Sequence, residues 1–160
     1  MTEMTPGDAT TIGPVRARID VAVSQRRAFE FFTAQMMAWW LPEHHIGEDP
    51  MVDLVVEPRV GGRWFERDAA GHECQWGRVL AWQPDERVVL AWQLDNDFEF
   101  DAELLTELEV RFVAVGESTT RVELEHRGLE AYGTLAERRR TQFDGEGGWQ
   151  TLLDRFAVTL

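Results

Sequence analysis

The sequence predicts an α+β domain: a curved antiparallel sheet of about seven strands, in the order β-α-α-β6-α, wrapped around a long C-terminal helix. Three observations carry this reading. An alternating apolar and charged run opens the fold, six β-type runs joined mostly by short turn segments occupy residues 52–126, and the chain ends on an apolar stripe at helical spacing. Short links force antiparallel neighbours, because a parallel pair needs a crossover of a dozen residues or more. Elements in this order stack as one sheet with helices on one side.

Residues 1–14 are rich in Thr, Gly and Pro and are expected to form a flexible tail, leaving a single folded domain over residues 15–160. From Val15 to Val23 every odd position is apolar, the period of a half-buried strand. Ser24 stands where a helix N-cap belongs, and Ala28, Phe29, Phe31 and Phe32 follow it, giving a helix over 25–33. A second short helix is expected over 35–40, brought to an end by Pro42. Strands follow at 52–57, 63–68, 73–82, 87–94, 104–115 and 119–126, separated by turn residues such as Gly61-Gly62, Gly71 and Pro84. The long acidic link 95–103 is expected to be a mobile loop beside whatever the domain binds. In the last strand Val122, Leu124 and His126 oppose Arg121, Glu123 and Glu125, so one face is wet and the other covered. The cover is a helix over 149–160, in which Trp149, Leu152, Leu153, Phe156, Ala157 and Leu160 recur at i, i+3, i+4, i+7, i+8 and i+11.

A chain of 160 residues fits one domain, since a core of this size buries roughly 70% of the surface that the unfolded chain exposes. Cys74 is the single cysteine, so no internal disulfide forms; a reducing, cytoplasmic compartment is expected, with Cys74 a half-buried strand residue rather than a reactive thiol. The amino-terminal stretch has neither a basic start nor an apolar segment, and no run of about 18 apolar residues occurs, so neither export nor membrane insertion is expected. With 29 acidic against 16 basic residues, a net charge of -13 repels nucleic acid and anionic lipid. The run Arg138-Arg139-Arg140 reads as a solvated helix face.

Seven tryptophans and nine phenylalanines against one tyrosine make a heavy aromatic load, suited to walling a ligand cavity. The spread of the tryptophans over most elements, with strand parity and the helical stripe, nominates Trp40, Trp64, Trp76, Arg78, Trp82, Trp92, Phe112, His126, Trp149 and Leu153 as its lining. Arg78 shares parity with Trp76 and Trp82, Glu57 and Glu66 are further inward candidates, and His126 is the side chain expected to make a polar contact to ligand. Any such group, once buried, needs a partner. No Gly-x-Ser-x-Gly elbow and no telling carboxylate pair occurs, so no catalytic residue is assigned. The adjacent His44 and His45 point apart and lack zinc spacing, so they read as a solvated loop and no metal is expected. No phosphate-cradling glycine motif is present, and no cofactor is expected.

The segments Phe29 to Thr33, Trp39-Trp40-Leu41-Pro42, Pro58 to Trp64, Gly77-Arg78-Val79-Leu80 running to Pro84, Arg87 to Trp92, and Gly148-Trp149 with Leu152 and Leu153 behind it are together specific in order and spacing. They resemble the Hsp90 ATPase activator-homologue branch of the START-like, or Bet v 1-like (SRPBCC), superfamily, over residues 15–160. The resemblance implies the helix-grip fold, with a cavity between sheet and last helix that takes lipids, polyketides, hormones or other apolar molecules. The expected role is therefore a non-catalytic binding module for a small apolar or amphipathic molecule. The alternatives are a polyketide cyclase or dehydratase-like enzyme using the same cavity, and an Hsp90 activator-like module that contacts a chaperone. The separate amino-terminal domain of the eukaryotic activator has no counterpart in these residues, and a homodimer is left open.

Overall fold

The computed structural model describes residues 12–160, so the tail expected over 1–14 lies mostly outside the described residues; residues 12–14 carry no regular structure. Strand β1 (Val15–Val21) leads into helix α1 (Gln25–Ala34), where the Ser24 hydroxyl accepts from the Arg27 N–H as an N-cap should. One turn of helix, α2 (Met36–Trp39), follows. Six strands then succeed one another: β2 (Met51–Val56), β3 (Arg63–Asp68), β4 (Glu73–Gln83), β5 (Arg87–Trp92), β6 (Thr106–Gly116) and β7 (Thr119–Arg127). Each pairs antiparallel with the next, and β1 closes on β7, giving the sheet order β1-β7-β6-β5-β4-β3-β2. Strand bounds fall within two residues of expectation.

The sheet's inner face is apolar and its outer face charged. One inward row runs Val15, His126, Leu108, Leu90 and Val79 across five strands. Its outward neighbour is Arg127, Glu107, Ala91, Arg78 and Arg63. On that outer face Glu109 lies among Arg87, Arg111 and Arg127. Burial raises its carboxyl pKa, but hydrogen bonds from Arg87 and Arg127 outweigh this and hold it below the ordinary range.

The carboxy-terminal layer is more helical than the sequence pattern suggests. A 3-10 segment (Leu129–Leu135) and helix α3 (Ala136–Asp144) precede the expected last helix, α4 (Trp149–Thr159). Helix α3 was concealed by its composition, because only Ala136, Arg139 and Phe143 are buried along it. The solvated reading of Arg138-Arg139-Arg140 is thereby corrected. Arg139 is buried and donates to Asn96 Oδ1 and Gln142 Oε1, while Arg140 reaches the Gly13 and Pro14 carbonyls. Gly148 is required where α4 begins, since a Cβ there would stand 2.1 Å from the Phe143 carbonyl oxygen. That close approach is to α3, not to the strands. At the sheet edge, the Gln150 amide both donates to the Arg18 carbonyl (3.2 Å) and accepts from its N–H (3.3 Å), standing in for a paired strand.

Candidate functional site

Where β4 and β5 meet the junction of α3 and α4, the layers leave a cavity of about 410 Å³. A β-bulge builds one wall. Trp64 pairs with Gly77 and Phe65 with Gln75, so Trp76 is the extra residue on β4. Gly77 makes this fit, because a Cβ there would lie 1.7 Å from the Ala91 carbonyl oxygen. Trp76 and Trp92 form the sheet side of the cavity, and Trp149, Leu152 and Phe143 the helical side. Trp40 supplies a further wall, and Leu94 and Phe98 bring in the acidic 95–103 link. The mouth is polar, with Glu43, His44, His45, Gln142 and Glu146.

That link takes the form of a hairpin beside the cavity: Leu94 bridges Phe100, and Asp95 Oδ1 accepts from the Asp97 and Glu99 N–H groups. Phe98 has φ of 58°, a left-handed conformation unfavourable to a bulky residue, and the Arg139 guanidinium lies over its ring at 4.6 Å.

Two buried polar groups fix the walls. Glu66 is 2% exposed and accepts from Ile46 N (2.7 Å), Gly47 N (3.1 Å) and Trp76 Nε1 (2.9 Å), so one carboxylate ties both the 43–47 loop and the Trp76 wall to β3. On that loop, His45 Nδ1 lies 2.9 Å from the Gly47 carbonyl oxygen. Behind the opposite wall, His126 is fully buried. The Trp149 indole N–H donates to its Nδ1 (3.0 Å), and its Nε2 meets Thr106 Oγ1 (2.8 Å), whose own proton goes to the Trp92 carbonyl. His126 is thus neutral with its proton on Nε2. Burial pushes its pKa down to about 3.

These placements divide the nominated residues. Trp40, Trp76, Trp92 and Trp149 line the cavity. Trp64, Phe112 and Leu153 are buried in the adjoining core. Trp82 stands apart, half-buried with its ring 5.1 Å from Phe29. Arg78 is corrected to the outer face: the bulge at Trp76 breaks the parity that grouped it with Trp76, and it pairs with Arg63 and Ala91 in the outward row. His126 is corrected from ligand contact to wall support, since both ring nitrogens are engaged within the protein. His44 and His45 stand on a loop as expected, His44 exposed and His45 half-buried, and both also border the cavity. Sequence reasoning passed over Phe143, Phe98 and His45; the last is recognisable only through a backbone bond that no residue pattern encodes.

Asp49, Asp68 and His72 offer ligand atoms within 4.8 Å of one another, yet Asp68 already accepts from Ala70 N, His72 N and the His72 ring. Cys74 is half-buried as expected; burial, then the Glu66 and Asp68 carboxylates, push its thiol pKa up. Among the described residues no helix is long and apolar enough to cross a membrane.

The family described as Activator of Hsp90 ATPase homolog 1-like protein matches residues 22–160. Among solved structures, one described as an anthrahydroquino-Gama-pyrone synthase, Txn09, complexed with SUM is 37% identical, covers 94% of this chain and 99% of its own, and superposes with a TM-score of 0.66. The self-sacrificing resistance protein CalC from Micromonospora echinospora is 27% identical, with 91% and 92% covered and a TM-score of 0.66. The Aha1 dimer from Colwellia psychrerythraea is 16% identical, with 93% and 96% covered and a TM-score of 0.62. A comparison with curated proteins finds no match.

Proposed function

Since the chain belongs to the Activator of Hsp90 ATPase homolog 1-like family, whose fold alone does not set its activity, we propose that its cavity encloses a planar, fused-ring aromatic molecule. The carrying observation is the wall itself: Trp40, Trp76, Trp92 and Trp149 with Phe98 and Phe143 around about 410 Å³, a size suited to a compact polycyclic ligand. Ring faces and edges of this density favour a flat π-system over a flexible chain. The neighbour at 37% identity supports the same class, since it is described as a synthase of an anthrahydroquino-pyrone.

A second reading, cyclase-type ring closure on the bound molecule, is favoured by the titratable groups at the mouth, Glu43, His44, His45 and Glu146. A chaperone contact rests on the family's name alone. A homodimer rests on a fold shared at 16% identity. Residence in the cytoplasm rests on the single, hindered thiol of Cys74.

Titration with 2-hydroxyanthraquinone tests the binding reading through tryptophan emission. Saturable quenching is expected in the wild type, and Phe98→Gly, which removes one exposed wall, is expected to weaken binding by about 3- to 10-fold. Linear quenching, equal to that of free indole in solution, overturns it.

A further inference from the structure

We infer that His45 is the proton-transfer residue of this cavity, and that Glu66 and the Gly47 carbonyl position it. The inference rests on the aromatic-ligand reading above and adds a reacting group to it.

Three features carry it. First, a carbonyl oxygen only accepts, so the 2.9 Å contact from His45 Nδ1 to the Gly47 oxygen places the imidazole proton on Nδ1. The lone pair is then on Nε2, which has no hydrogen-bond partner among the described residues. Second, His45 is half-buried at the lip of an aromatic cavity, unlike the exposed His44 and His72, so a bound ring comes within its reach. Third, the loop that presents it is anchored. The buried Glu66 carboxylate holds the N–H groups of Ile46 and Gly47, the residues that follow His45, and the same carboxylate holds the Trp76 wall. Base, orienting acceptor and buried anchor thus form one connected unit.

The substrate this arrangement fits is a phenol or enol borne on the fused-ring system. His45 Nε2 takes the O–H proton, leaving an imidazolium beside a phenolate. Where the molecule carries an unsaturated carbon conjugated to a ketone, the oxygen's electron pair forms a C–O bond to that carbon. The displaced π pair then takes the proton back from His45 at the neighbouring carbon. The closure is an isomerisation and requires no oxidant or second reactant. The other titratable groups around His45 are Glu43 and His44 on its own loop, Glu146 between α3 and α4, and Glu66 behind Gly47.

The test uses 2-hydroxyanthraquinone, whose phenol and phenolate absorb at different wavelengths. Bound to the wild type, its phenolate band is expected to appear about one pH unit lower than when bound to His45→Asn, in which the amide still bonds Gly47 but offers no base. Affinity is expected to hold within about 2-fold, as the aromatic walls are intact. His72→Asn, which alters an exposed imidazole outside the cavity, is expected to match the wild type. Glu66→Gln is expected to lose part of the band shift while still binding dye, a readout that a purely structural role would leave unmoved. Binding with identical band positions in wild type and His45→Asn overturns the assignment of His45 and leaves the binding reading standing. Absence of binding to the wild type overturns both.

Discussion

At the scale of single residues, His126 and Phe98 illustrate opposite uses of an unfavourable state. His126 is held neutral, so the sign of its pH effect is fixed. Unfolded, it binds a proton below its ordinary pKa of 6.5; folded, it does so only near 3. Its contribution is therefore complete above 6.5 and is lost as pH falls toward 3, at up to about 1.4 kcal/mol per pH unit. Between pH 6 and 5, before most carboxylates titrate, denaturant midpoints should fall for the wild type and stay nearly level for His126→Gln. That variant should also start roughly 1–3 kcal/mol lower at neutral pH, because Trp149 and Thr106 lose a fitted partner. An unchanged slope would remove His126 as its source. Phe98 carries strain at the cavity mouth instead. Phe98→Gly should raise the unfolding temperature or leave it unchanged, relieving about 1 kcal/mol of left-handed strain, even as ligand affinity drops. The sequence announced His126 through its parity with Val122 and Leu124, but its partners come from β6 and α4, and only the fold brings them together.

Among the elements, those with strong periodicity were legible and those defined by exceptions were not. Strand β7 and helix α4 show clean periods of two and 3.6, and each stands within a residue of where the pattern puts it. Helix α3 was hidden because it buries a guanidinium rather than an aliphatic residue at its middle position. The cavity wall was hidden for a related reason. A bulge adds one residue, after which alternation assigns the side chains that follow to the wrong face, as it did Arg78, until the second irregularity between Val79 and Ala81 restores the parity. Gly77 is the point on which that wall turns. Gly77→Ala should cost more than about 3 kcal/mol in a chemical unfolding experiment, since the Ala91 carbonyl it meets belongs to β5 and cannot swing aside. A loss below about 1 kcal/mol would mean that the bulge relaxes freely.

Over the whole molecule, the fold class and the aromatic character of the interior were readable from composition and order, whereas the ends of the sheet were not. Among the described residues, the Gln150 side chain caps the β1 edge at Arg18. Gln150→Ala should reopen that edge and promote self-association at high concentration, measurable by light scattering; a variant that stays as disperse as the wild type would show that the edge is guarded by other means. The interior has a consequence of its own. All the tryptophans except Trp82 form one connected set, with neighbouring ring centroids from 5.3 to 6.4 Å apart along Trp39, Trp40, Trp64, Trp76, Trp92 and Trp149. At such separations an excited indole hands its energy to its neighbours before it emits, so the set behaves optically as a single antenna. Light absorbed anywhere in it should emerge depolarised although the rings are rigid, and one quinone seated against Trp149 should darken nearly the whole protein rather than the few rings it touches.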